Sequence, residues 1–203
     1  MIESSPSITA QRAAMHRSAH QILDEPRVFD DPLAMRIIGA ESLAALRAAP
    51  QQFAAAQGSE LLRAFIAARS RYAEDALGEA VRRGLSQYVI LGAGLDTFAY
   101  RNPYTQARLH VFEVDHPATQ GWKRAQLEEA GISIPASLTF VPVDFERQTM
   151  ADGLRQASFD HGEPAFFSWL GVTPYLTKEA AASTLKFIAA LKIGSGVVFD
   201  YVI

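Results

Sequence analysis

The apolar residues Tyr88, Val89, Ile90 and Leu91 stop abruptly at Gly92-Ala93-Gly94. The run is too short for a helix and carries no polar alternation, so it predicts a strand buried on both faces that feeds a glycine turn. Two glycines separated by one alanine let the backbone bend sharply and let a ligand approach with no Cβ in the way. In an open α/β sheet, ligands collect at the carboxyl ends of such strands. This turn constrains the fold more than any other stretch of the chain.

The residues after the turn narrow the ligand. A P-loop would continue with Gly-Lys-Ser/Thr, and a dinucleotide fingerprint would place a third glycine where this chain has Thr97. A second apolar strand, Arg108 to Val114, ends in Glu113-Val114-Asp115. An acidic side chain at the tip of a second strand can accept hydrogen bonds from both hydroxyls of a ribose. Strand alternation sends Glu113 and Asp115 to the same side, which also admits a general acid and base pair, although no substrate or metal is legible beside them. The residues alone point to an adenosine-containing cofactor.

Three segments then carry a family resemblance. LGAGLDTFAYR, FEVDHPATQGWKR and VPVDFE, in this order and spacing, resemble the leucine carboxyl methyltransferase-like group of class I S-adenosylmethionine-dependent methyltransferases, over nearly the whole chain. The resemblance implies a Rossmann-like α/β sheet with an N-terminal helical cap, and S-adenosyl-L-methionine as cofactor. It also implies methyl transfer to a carboxylate or hydroxyl of a small molecule or protein C-terminus. Gly92, Ala93 and Gly94 become the cofactor turn and Asp115 the ribose-binding carboxylate, while Glu113 is a motif residue of open role. Within AARSRYAEDAL, Arg69 matches the arginine that holds the cofactor's methionine carboxylate, as a two-pronged guanidinium can; the residues alone would read it as a solvated helix arginine. Asp96 is placed either on the methionyl amino group or at a helix cap. Asp144 and Phe145 are placed at the adenine, with an N-cap as the alternative for Asp144. Tyr175 falls in a substrate-cleft motif, with a packed aromatic as the alternative. Leu170 stands where relatives usually carry an acidic residue. No catalytic base is identified. A nicotinamide-dependent oxidoreductase and a non-catalytic cofactor-binding module remain the competing readings.

Composition agrees with such a domain. The 203 residues are 49% hydrophobic and 20% charged, enough for one sizeable core. A net charge of −3, with signs interspersed, gives no electrostatic footprint for nucleic acid or an anionic membrane. No cysteine occurs, which removes disulfides and thiolate chemistry. With no signal-length apolar run at the start, the expected location is the cytoplasm. His16 and His20 lie four apart on a helix, but neither a third ligand nor an HExxH glutamate accompanies them, so no metal is assigned.

Periodicity divides the chain into residues 1–84, an N-terminal helical cap and lead-in helix, and 85–203, the cofactor-binding core, together one domain. Helices are expected over Thr9–Ile22, after Asp31-Pro32, over Glu41–Ala49 and over Gly58–Arg83, the last with Leu61, Leu62, Phe65, Ile66, Tyr72, Ala76, Leu77 and Val81 mostly on one face. A crossover helix is expected to begin over Asp96–Tyr100. Further helices are expected over 116–130, 148–157 and 178–191, and strands over 137–143, 164–170 and 194–203. Five strands are countable where the methyltransferase sheet has seven, so the sheet reads as truncated after the fifth, with an exposed edge open to self-association.

Overall fold

The structure, a computed structural model, describes residues 7–55, 58–104, 108–144 and 148–201. Five strands, β1 (Gln87–Leu91), β2 (His110–Asp115), β3 (Leu138–Pro142), β4 (Ala165–Trp169) and β5 (Gly196–Phe199), form one sheet in the order β3-β2-β1-β4-β5. Every pairing is parallel. The chain moves outward in one direction from β1 to β3, then returns to the other side of β1 for β4 and β5. That reversal opens a crevice at the carboxyl ends of β1 and β4, where an α/β sheet admits a ligand.

Both faces of the sheet are covered, which explains the unalternating β1. On one face Val89, Leu91, Phe112, Val114 and Phe167 pack with Leu154 of α7 (Met150–Gln156) and Ile188 of α8 (Lys178–Ala189). On the other, Tyr88, Ile90, Val111 and Phe166 meet Phe98 and Leu77, the latter from α5 (Ser59–Arg82). A third cluster joins the N-terminal helices α1 (Ile8–Leu23), α2 (Ala34–Ile37) and α3 (Ala40–Ala48) to Leu95 and to Leu127 of α6 (Pro117–Glu129). Thr149 caps α7 by accepting from the Asp152 N–H, so the capping alternative for Asp144 is not realised.

Three expectations are corrected. Pro50 does not simply stop a helix; it opens a further one, α4 (Pro50–Ala55), where its missing N–H costs nothing. The crossover after the glycine turn is only a 3-10 turn, Phe98–Tyr100, because Asp96 accepts from the Phe98 N–H at 2.8 Å and holds the chain in a local turn. On α5, Leu61, Leu62, Phe65 and Tyr72 are exposed, whereas Arg63, Ile66, Ala67, Ala73 and Leu77 are buried. Ala76 and Val81 also pack against the core; the buried stripe is rich in small residues and includes an arginine, so large apolar residues mark it only in part.

Arg63 is buried because Asp24 receives it through two bonds of 2.7 Å, while His20 donates from Nδ1 to the same carboxylate at 2.7 Å. The His20 Nε2 accepts from the Phe29 N–H, which sets that tautomer. His16 instead packs edge-on against Phe53. Among the described residues, no group of three or more metal-ligating side chains occurs, and no helix is long and apolar enough to cross a membrane.

Candidate cofactor cleft

A cleft of about 340 Å³ lies at the switch point of the sheet, within the usual size range of small-molecule sites. Its floor is Leu91 to Asp96 after β1, one wall is Asp115-His116 after β2, and the other is Ser168 and Leu170 to Val172 around the end of β4. Ala10, Ala13 and Arg17 of α1, and Ile66, Arg69 and Ser70 of α5, close it from above.

The glycine turn is built by crowding from within the protein. Gly92 has φ +66°, and a Cβ there would lie 2.4 Å from the Val172 side chain. Gly94 has φ +45°, and its Cβ would lie 2.8 Å from the Ala10 Cβ. The positive φ and the close approach both require glycine. These glycines thus have a structural reason of their own: they let α1 and the β4 loop reach the edge of the cleft.

Asp115 stands beside that turn. Its Oδ2 accepts from the Gly94 N–H at 2.6 Å and its Oδ1 from the His116 N–H at 2.7 Å. Burial raises its pKa, partly offset by those two donors. Each carboxylate oxygen retains acceptor capacity beyond one bond, so Asp115 can tie the turn and still receive ligand hydroxyls. Asp96 also lines the cleft while making its turn to Phe98.

Glu113 is not brought to the cleft. It shares the side of β2 with Asp115 but sits one repeat deeper, with no exposed surface, against Lys123 Nζ at 2.7 Å and the Tyr100 hydroxyl at 3.3 Å. Burial pushes its carboxyl up to about 7 against the pull of Lys123. A binding role for Glu113 is therefore replaced by a buried pairing role. Asp144, whose carbonyl accepts from the Gln148 N–H, is likewise not among the lining residues, and Phe145 lies outside the described residues. Tyr175 does line the cleft, at its mouth, and is 67% exposed rather than packed.

The profile of the leucine carboxyl methyltransferase family matches residues 10–189. The chain belongs to the leucine carboxyl methyltransferase family. A Bacillus subtilis (strain 168) protein named "Putative S-adenosyl-L-methionine-dependent methyltransferase YktD" is 36% identical over 99% of this chain and 72% of its own length. A Mycobacterium avium (strain 104) protein with the same general name is 34% identical over 91% of this chain. A Mycobacterium tuberculosis (strain H37Rv) relative is 33% identical over 91%. The chain spans 60% of the length of each of these two mycobacterial proteins. The five parallel strands and their order fit the Rossmann-like sheet of S-adenosylmethionine-dependent methyltransferases.

Several residues of this family member escape a reading of the sequence. Arg17 lines the cleft while its guanidinium donates to the Leu95 carbonyl at 2.5 Å and lies 2.8 Å from Asp31. Asp31, with no exposed surface, also receives the Thr97 hydroxyl at 2.6 Å and sits 3.3 Å from Arg101. Arg101 in turn holds Glu74 of α5. This buried network fastens the FDDPLA segment and α1 over the loop that follows the glycine turn. Asp200, just past β5, is the other acidic residue missed. It ends an apolar strand run, GVVFD, as Asp115 ends VFEVD, and that shared pattern is the signal that could have found it.

Proposed function

We propose that the chain binds S-adenosylmethionine in this cleft and transfers its methyl group to an oxygen of a carboxylate or hydroxyl acceptor. The observation that carries the reading is the meeting of Asp115 with the Gly92–Gly94 turn at the sheet's switch point, with Arg69 of α5 closing the cleft from above. The residues present suit the cofactor's chemistry. Asp115 is an acceptor for ribose hydroxyls, Arg69 a cation for the methionyl carboxylate, and Asp96 an anion for the methionyl amino group. When bound, the cofactor supplies an electrophilic methyl on a positively charged sulfur, with a neutral thioether as leaving group.

What remains for the protein is to hold an acceptor oxygen in line and to exclude water. Ala10, Ala13, Ile66, Leu170 and Val172 give the cleft an apolar side suited to that exclusion, and Tyr175 borders its mouth. A carboxylate acceptor is already ionised at neutral pH, so it needs no proton removed before attack. The acceptor is proposed to be a small molecule or a protein C-terminus rather than a nucleic acid, in keeping with the net charge of −3.

Calorimetric titration with S-adenosylhomocysteine, with NAD as control, tests the cofactor reading. Micromolar binding that is absent for NAD and at least about tenfold weaker in Asp115→Ala is expected. Binding of NAD in its place would return the chain to the oxidoreductase reading. Transfer of labelled methyl into candidate acids and phenols then tests the reaction, and binding without transfer to any of them would favour a non-catalytic module.

A further inference from the structure

The Arg69 guanidinium is held from behind by a residue that does not itself line the cleft. Its Nη1 lies 2.5 Å from Asp200 Oδ2, and the two side chains are only 15% and 14% exposed. The other oxygen, Asp200 Oδ1, accepts from the Gly171 N–H at 2.6 Å, and the Asp200 carbonyl accepts from the Thr173 hydroxyl. Gly171 completes the fit, since at φ +72° a Cβ there would fall 2.7 Å from Arg69 Nη2. Phe65 lies beneath the guanidinium, its ring centre 5.3 Å away. Thus α5, the β4 loop and the end of β5 converge on one guanidinium.

An arginine has five N–H donors in a rigid plane. Asp200 engages Nη1, and Nε is buried without a partner. A carboxylate beside the guanidinium fixes its plane and leaves further donors for a second anion. Leu170, next to Gly171, contributes no charge to this wall, so the acidic group there comes from the neighbouring strand.

We propose that Asp200 is a positioning residue for the anion-binding end of the cleft: it locks the Arg69 guanidinium against the Gly171 turn, so that the end of β5 determines how tightly a ligand carboxylate is received. The inference rests on the cofactor reading above. It predicts that Asp200 matters to the amino-acid half of the ligand and not to its nucleoside half.

The test compares S-adenosylhomocysteine with 5′-methylthioadenosine, which lacks the amino-acid end, on wild type, Asp200→Asn and Asp200→Glu. A guanidinium released from its fixed plane that loses one of its charged hydrogen bonds to the ligand carboxylate corresponds to a change of about tenfold or more. Asp200→Asn is expected to weaken S-adenosylhomocysteine by that factor, to leave methylthioadenosine unchanged, and to be largely rescued by Asp200→Glu. Equal weakening of both ligands, or of neither, overturns the proposal. Should Asp200→Asn fail to fold, Thr173→Val, which removes the hydroxyl held by the Asp200 carbonyl, is expected to act in the same direction, and the same outcomes judge it. The Arg69 Nε–H resonance of the ligand-free protein supplies an independent reading. It should shift and exchange faster on replacement of Asp200 by Asn; an unchanged resonance sinks the positioning role. If wild type binds neither ligand, the cofactor reading falls while this resonance still decides the role of Asp200.

Discussion

Glu113 and Asp115 are the same kind of group on the same side of the same strand, yet they occupy opposite situations. Asp115, at the tip of β2, is held by backbone N–H donors of the cleft and lines it. Glu113, one repeat deeper, has no exposed surface and is matched by a lysine that is itself 1% exposed. The difference shows that side is set by the two-residue repeat of the strand, whereas role is set by depth along it. A carboxylate at the strand end meets the ligand crevice; one repeat below, it must find a cation or lose its charge.

The sharpest break of this comparison is Lys123→Met, which leaves Glu113 buried without its cation. Above about pH 7, where Glu113 is ionised in the folded protein, it should lower stability by about 3–5 kcal/mol, measured by urea unfolding. Adding Glu113→Leu should recover most of that loss, since two apolar side chains leave no charge to satisfy. A small effect of the single change would mean that Glu113 is already protonated and that the contrast with Asp115 is weaker than drawn.

Next in size is the pH dependence. In the unfolded chain Glu113 titrates near its ordinary 4.5, whereas burial raises it to about 7 in the folded protein. Between those values the folded state binds more protons, so stability falls as pH rises. The contribution is fully present below pH 4.5 and lost as pH passes through about 7, a total of about 3 kcal/mol for a shift of this order. Glu113→Gln should flatten that part of the stability curve relative to wild type, and an unchanged slope would assign it to another group.

Asp115→Ala should act mainly on the ligand. Loss of a charged hydrogen-bonding group predicts weakening of S-adenosylhomocysteine by about ten- to a hundredfold, with a smaller change in urea midpoint than Lys123→Met. The reverse order of the two variants in stability would undo the distinction. The smallest effect is expected from Arg71→Ala on the exposed face of α5, where Asp75 is its partner at 2.8 Å in solvent. No measurable change in Tm is expected there, because water screens such a pair.

Much of the architecture is readable from short stretches of chain. The run into Gly92-Ala93-Gly94, the acidic tip of β2 and the helix that follows Pro117 are local patterns, and the structure places each within a few residues of the expected position. Those patterns express backbone sterics and the two-residue alternation of strands, which act between neighbours. A charged side chain's partners carry no such local mark. Arg69 and Asp200, 131 positions apart, or Asp31 with Arg17, Thr97 and Arg101, look in sequence like ordinary surface groups. Arg69 lines the cleft with Asp200 behind it, and the Asp31 group becomes a buried clasp, because the order β3-β2-β1-β4-β5 folds their elements onto one end of the sheet. Local pattern therefore settles that a glycine turn exists and which strand precedes it. The folding of distant segments together settles which charges line the cleft and which are buried in the core, because a charge's environment is a sum over neighbours that the chain brings in from far away.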